Sequence, residues 1–244
     1  MIEYLIYFLL TVFLSTIFAI AGVGSAIALV PALNFTGLSF DISRASGLFV
    51  NFITTVTTSY LNFKKKLFDN EFVFPLILSS MVLAYIGAKV SLSIDVYIVK
   101  NIFGITLIIL ATIMLFGIKK RNSDKKSNKI LLYIAGSIGG FFSGFLGVGG
   151  GSIISPILIL CGYDAKKIAI SISFVIPFSS IIAFFSYATV IEIDYLLLFV
   201  VGIGAYIGGM IGNYLLHFKV SSRTIKKILA IVLYSLSLKI LFFS

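Results

Sequence analysis

The chain has 244 residues, of which 59% are hydrophobic and 11% charged, and its mean hydropathy is +1.14. A soluble domain of that length cannot hide so much apolar surface in one core, because its outside must still be wetted, so the composition predicts a membrane protein throughout. The net charge of +10 does not argue for nucleic acid, since the basic residues sit in short clusters between apolar runs, as topology signals do.

The first apolar segment covers residues 2–21. Glu3 stands where a signal peptide has its basic region, and the run exceeds the usual signal core, so the segment is expected to remain in the mature protein. A break at Gly22-Val23-Gly24 leads into a short apolar piece at 25–36, followed by longer runs at 42–63, 72–90 and 97–118. After a basic stretch the series repeats at 130–146, 151–161, 168–189, 195–216 and 226–243. A spanning helix needs about 20 residues, so the pieces at 25–36 and 151–161 are too short to cross alone. They read as half-helices, each paired with the preceding helix in a broken or re-entrant hairpin. The one cysteine, Cys161, leaves no internal disulfide and no cysteine metal cluster, and reads as a small packing residue.

The two series are one unit written twice. A shift of 125 positions lays Gly22-Val23-Gly24 on Gly147-Val148-Gly149, Pro31 on Pro156, Gly37 on Gly162, Ser46 on Ser171 and Asp69 on Asp194. The matches fall on residues that determine backbone shape rather than on the abundant leucines and isoleucines. The expected organisation is a first repeat at 1–118, a basic cytoplasmic linker at 119–129 and a second repeat at 130–244. Four loops hold 15 of the 19 Lys and Arg residues, around Lys64, Lys119, Lys166 and Lys219. Threading places all four on one side, which the positive-inside rule makes cytoplasmic, with both chain ends outside. The basic loop at 64–71 has an acidic counterpart near 189–195, so equivalent parts of the units face opposite sides. The fold class expected is an all-α polytopic membrane protein of two inverted-topology repeats, each a glycine-broken helix/half-helix hairpin followed by three transmembrane helices. Such repeats suit a secondary transporter of the cell membrane, because exchanging the conformations of the halves converts an outward-open state into an inward-open one.

Candidate chemistry lies at the glycine breaks. Gly139 to Ser152 is glycine-rich, but no Lys-Ser/Thr pair follows and no strand frames it, which excludes a phosphate loop or dinucleotide fingerprint. In a membrane, half-helices restarting at Ser25 or Ser152 expose unpaired N–H groups at the positive end of the helix dipole, an anion site that requires no buried cation. Broken backbone at that depth requires surrounding protein or a water-filled cavity. The candidate substrate-binding residues are Gly22, Val23, Gly24 and Ser25 of the first break, and Gly147, Val148, Gly149, Gly150, Gly151 and Ser152 of the second. Ser46, Ser171 and Asn51 join them as polar groups inside the long helices. The rows Gly136-Gly140-Gly144 and Gly204-Gly208-Gly212 read as helix-packing faces. The hydroxyls at Thr54, Thr55, Thr57, Thr58, Ser173, Ser179 and Ser180 line a wet path or bond back to their own helices. Every Asp, Glu, Lys and Arg falls in a loop or at a helix end, His217 reads as a membrane-end residue, and no catalytic set is present. Neither an enzyme, a cofactor nor a metal site is expected, and the oligomeric state is left open.

The stretches Gly22-Val23-Gly24 through Val30-Pro31-Ala32-Leu33 with Gly37-Leu38, and Gly144 through Pro156-Ile157-Leu158 with Gly162, resemble the TauE/SafE (TSUP) family of membrane transporters. The duplicated layout, the Gly87-Ala88-Lys89 helix end and the length extend the resemblance over nearly the whole chain. It implies export of a small sulfur-containing anion such as sulfite, sulfoacetate or a related organosulfonate. Ser25-Ala26 departs from the run of glycines usual in relatives, so the two half-sites contribute unequally. The alternatives are a passive anion channel and a transporter of an unrelated small solute.

Overall fold

A computed structural model describes residues 2–21, 24–116, 128–215 and 222–243. The described residues form helices and contain no strand: α1 (Ile2–Ala21), α2 (Ala26–Phe35), α3 (Phe40–Lys64), α4 (Asn70–Leu92), α5 (Val96–Phe116), α6 (Lys129–Leu146), α7 (Gly151–Leu160), α8 (Ala165–Ala188), α9 (Tyr195–Leu215) and α10 (Ser222–Phe243). Six of them, α1, α4, α5, α6, α8 and α9, are long and apolar enough to cross a membrane. Their outward faces carry exposed side chains such as Phe13, Phe116, Phe185 and Phe199, apolar surface of the kind that marks contact with a membrane. The chain is a multi-pass membrane protein.

Several helices begin before their apolar runs, because polar caps at the membrane edge start them. Ser39 accepts the Ile42 N–H at α3, and Asn128 accepts the Ile130 N–H at α6. Asp69 accepts the Phe72 N–H and Asp194 the Leu197 N–H, at equivalent positions of the two series. Each cap satisfies a donor that the helix leaves unpaired. The backbone shows the same 125-residue offset at several places. α2 and α7 have bounds 125 residues apart, and the left-handed glycines recur in pairs, Gly24 (φ 84°) with Gly149 (φ 77°) and Gly37 (φ 103°) with Gly162 (φ 93°).

The two series interlock. α4 lies along α6 and α1 along α9, each pair running in the same direction, and the glycine rows set both contacts. A Cβ on Gly140 would meet Ser80 O at 2.4 Å, and one on Gly144 would meet Ala84 O at 1.9 Å. On the other side Gly204 faces Phe8 O and Gly208 faces Val12 O. The equivalent helices α3 and α8 cross the centre in opposite directions, with Phe49 beside Phe184, Asn51 bonded to Ser180 and Asn62 to Ser173. α5 and α10 are likewise antiparallel, with Gly104 O accepting from Ser237 and Thr112 bonded to Tyr234.

These contacts define two ends of the bundle. One gathers Tyr4 with Asp194, Phe35 with Lys239, and Phe40 with Lys100. The other gathers Lys167 with Asp69 and the Asn128 N–H with the Tyr163 hydroxyl. Asn128 starts α6 and Tyr163 follows α7, so the second glycine hairpin leaves and returns to the same end. α7 folds back along α6, where Gly139 faces both Gly150 and Ile154.

Candidate functional site

Both glycine breaks converge on one side chain. A Cβ on Gly24 would lie 2.5 Å from Asn51 Oδ1, and one on Gly149 would lie 1.9 Å from Asn51 Nδ2. Left-handed backbone and contact with an amide therefore coincide at two positions related by the repeat, where only glycine fits. Asn51 is fully buried near the middle of α3, and its Nδ2 donates to Ser180 Oγ at 3.1 Å. Its repeat counterpart is Ile176, so the amide is supplied once for both half-helices.

Ser25 is fully buried at the start of α2, and its side chain makes no capping bond. Gly150 caps α7 without a side chain, and Ser152 Oγ, 3% exposed, lies 3.5 Å from Gly149 O. Gly151 packs on Ile176 and Ile172, and Val148 belongs to the apolar core. Gly22 and Val23 lie outside the described residues. Among those described, the buried side-chain atoms without a partner in the protein are Ser15 Oγ, Ser25 Oγ, Arg44 Nε, Asn51 Oδ1 and Ser143 Oγ. Ser25 and Asn51 belong to the point of convergence. Arg44 packs on Gly147, and Ser143 lies on the last turn of α6. Buried polar groups ordinarily find partners, and four of these five atoms lie beside the breaks.

Ser46 and Ser171 do not meet there. α3 and α8 run antiparallel, which puts these equivalent serines toward opposite ends of the bundle. Ser46 is buried on α3, and Ser171 borders a cleft lined by Leu67, Asp69, Asp164, Lys167 and Ile170. The threonines of α3 bond back within the helix: Thr54 to Val50 O at 2.8 Å, Thr55 to Asn51 O at 2.6 Å, Thr57 to Ile53 O at 3.1 Å and Thr58 to Thr54 O at 3.2 Å. Their hydroxyls donate to carbonyls of their own helix. His217 lies outside the described residues.

One expectation is corrected. Charged side chains are expected only in loops and at helix ends, but Arg44 stands on the second turn of α3 with no exposed surface. Positions 44, 47 and 51 share one face of α3, and that face lies along the second break, where Gly147 packs on Arg44 and Gly47 approaches Gly147 O. The guanidinium sits between the Phe40 and Tyr187 rings, 4.9 Å from each centroid. Its Nη2 pairs with Asp41, and its Nη1 donates to Ser91 Oγ and, at 3.0 Å, to Phe145 O. Ser91 and Tyr187 donate to the same end of α6, to Phe145 O at 2.7 Å and Gly144 O at 3.0 Å. A cation and two hydroxyls thus hold the terminal carbonyls of α6, the negative end of its dipole, just before the break. The signal available in the sequence was the Asp41–Arg44 pair, three residues apart in an otherwise uncharged stretch. Among the described residues no group of His, Cys, Asp and Glu could hold a metal.

The sulfite exporter TauE/SafE family matches residues 7–240. A probable membrane transporter protein of Methanocaldococcus jannaschii is 35% identical over 180 residues, covering 69% of this chain and 66% of its own length, just under two thirds. Another from Bacillus subtilis is 24% identical over 261 aligned positions, covering 95% of this chain and 94% of its own. No solved structure matches the chain. A match spanning both glycine hairpins and the long helices after them settles the kinship: the chain belongs to the sulfite exporter TauE/SafE family of membrane transporters.

Proposed function

We propose that this protein is a secondary transporter that exports a small sulfur-containing anion, such as sulfite, sulfoacetate or a related organosulfonate, by alternating access. The observation that carries the reading is the convergence of Gly24 and Gly149 on Asn51. There the unpaired N–H groups opening α2 and α7 are joined by the second hydrogen of Asn51 Nδ2, the first going to Ser180 Oγ, and by the buried hydroxyls of Ser25 and Ser152. Such donors suit an oxyanion. The opposed directions of α3 and α8, and of α5 and α10, support two inverted repeats that rock about this point. The basic loops are assigned to the cytoplasm and both chain ends to the outside.

An inside-negative potential favours anion exit by about 2.3 kcal/mol per charge per 100 mV, roughly a fifty-fold gradient, so export needs no coupled proton. The family kinship supports the substrate class. Proteoliposomes loaded with labelled sulfite or sulfoacetate, with an imposed potential, test the proposal. Saturable efflux that Asn51→Leu abolishes in a folded protein is expected. Flux that rises without saturation indicates a passive channel. A folded wild-type protein that moves none of a panel of sulfur oxyanions refutes the substrate assignment.

A further inference from the structure

The buried guanidinium of Arg44 has one hydrogen-bonding edge half occupied. Nη1 is committed to Ser91 and Phe145 O, and Nη2 meets Asp41, but Nε has no partner in the protein. Nε and Nη2 form the side-on fork of an arginine, the edge that takes two oxygens of one anion at once. Asp41 uses only half of it, through a single carboxylate oxygen. Asp41 stands in the first turn of α3 with its side chain 29% exposed, whereas that of Arg44 is wholly enclosed. The carboxylate is therefore the member of the pair able to move toward water.

We infer that the Arg44–Asp41 pair is an exchangeable anion gate, in which an oxyanion with two oxygens on one centre displaces Asp41 and takes both Nε and Nη2. This rests on the anion-transport reading above and deepens it with a second subsite. Asn51 lies seven residues further along the same face of α3, about 10 Å deeper at the ordinary helical rise. The gate thus stands between the Asn51 site and the end of the bundle formed by Phe40, Lys100 and Asp194. The exchange also makes opening conditional. If Asp41 left without a replacement, an enclosed guanidinium would lose its countercharge, the costly way to break a buried pair. An arriving oxyanion removes that penalty, so the gate yields to substrate and resists opening when empty. The repeat carries no second copy, because Ala169 occupies the position equivalent to Arg44. The opposite end must open by other contacts.

The test uses the full chain in proteoliposomes and in detergent, with sulfite and chloride as probes. Asp41→Asn removes the competing carboxylate and keeps the cation. It is expected to lower the KM for sulfite efflux by at least about five-fold, the lower end of ordinary coupling between linked sites. It should also increase the sulfite-dependent rise in melting temperature relative to wild type. Arg44→Lys keeps a charge without the fork, and should raise the sulfite KM and reduce the preference for sulfite over chloride. Should Arg44→Lys fail to fold, Asp41→Asn alone decides. A folded Asp41→Asn protein with wild-type KM and wild-type sulfite stabilisation overturns the gate while leaving the transport reading intact. A wild-type protein with neither sulfite flux nor sulfite stabilisation overturns both.

Discussion

At the scale of single residues, the strongest constraint is steric. Gly149 has φ 77°, and a Cβ there would fall 1.9 Å from Asn51 Nδ2. Left-handed backbone costs a residue with a side chain about 1–2 kcal/mol, and the amide must also be displaced. Gly149→Ala should therefore lower the melting temperature in detergent and abolish efflux. Adding Asn51→Ala removes the clashing amide, so the double variant should melt higher than Gly149→Ala yet remain inactive, a non-additive result that double-mutant comparison detects. Equal melting of the single and double variants would show that the contact is unimportant. The breaks themselves were legible, because glycine and proline repeated at a fixed offset reveal backbone shape. The partner was less so. Asn51 was one polar residue among several in its helix, and only the fold shows that both breaks face it while the neighbouring threonines turn to their own carbonyls. The enclosure of Arg44 is not legible from its place near a helix start, because it depends on Phe40, Ser91 and Tyr187 from three parts of the chain.

Helices are the next scale, and here small residues and caps do the positioning. A methyl on Gly144 would press on Ala84 O at 1.9 Å and on Ala88 N at 2.8 Å, both backbone atoms of α4. A methyl on the equivalent-face Gly208 meets Val12 O and Ser15 Cβ only at 2.7 Å. Overpacking costs typically 1–3 kcal/mol, so Gly144→Ala should destabilise by about 3 kcal/mol and Gly208→Ala by about 1 kcal/mol, in melts of purified protein. The reverse order would mean that α4 and α6 are not held together at this row. Charge at the helix starts adds a pH signature. The hydrogen bond from Lys167 holds the Asp69 carboxyl below the usual carboxylate range, helped by the Phe72 N–H, and the Leu197 N–H followed by the Tyr4 hydroxyl does the same for Asp194. A depressed folded value means stability that is complete above the unfolded carboxylate value of about 3.9 and is lost as pH falls through the folded one. Asp69→Asn should thus melt below wild type at pH 7, with the difference closing in the acid range below about pH 4. Both partners are some two-fifths exposed, so the difference at pH 7 should stay below about 1 kcal/mol. Helix lengths were readable from apolar runs to within four residues. Their true starts depend on Ser39, Asp69 and Asn128, polar caps that lie outside those runs.

For the whole molecule, the decisive quantity is the relative orientation of the repeats. Equivalent helices that pass each other in opposite directions, α3 with α8 and α5 with α10, agree with the opposite charge of equivalent loops. These are independent lines, one from side-chain contacts and one from the distribution of lysines. Leu67 and Glu192 occupy equivalent positions in the turns before α4 and α9, and both are exposed. In a background where Cys161→Ser removes the native thiol, Leu67→Cys and Glu192→Cys each provide a single reporter. An impermeant thiol reagent applied to intact cells should label Glu192→Cys and leave Leu67→Cys untouched until the membrane is opened. Ser123→Cys, in the basic linker, should behave like Leu67→Cys. Parallel repeats would expose Leu67→Cys and Glu192→Cys to the same side, and the rocking exchange of conformations between halves would then lose its symmetry basis. If the two label from opposite sides but Leu67→Cys is the one reached in intact cells, the inversion stands and the chain is upside down. The Arg44–Asp41 gate would then face the cytoplasm, and oxyanions would meet it on entry to the export path rather than on release.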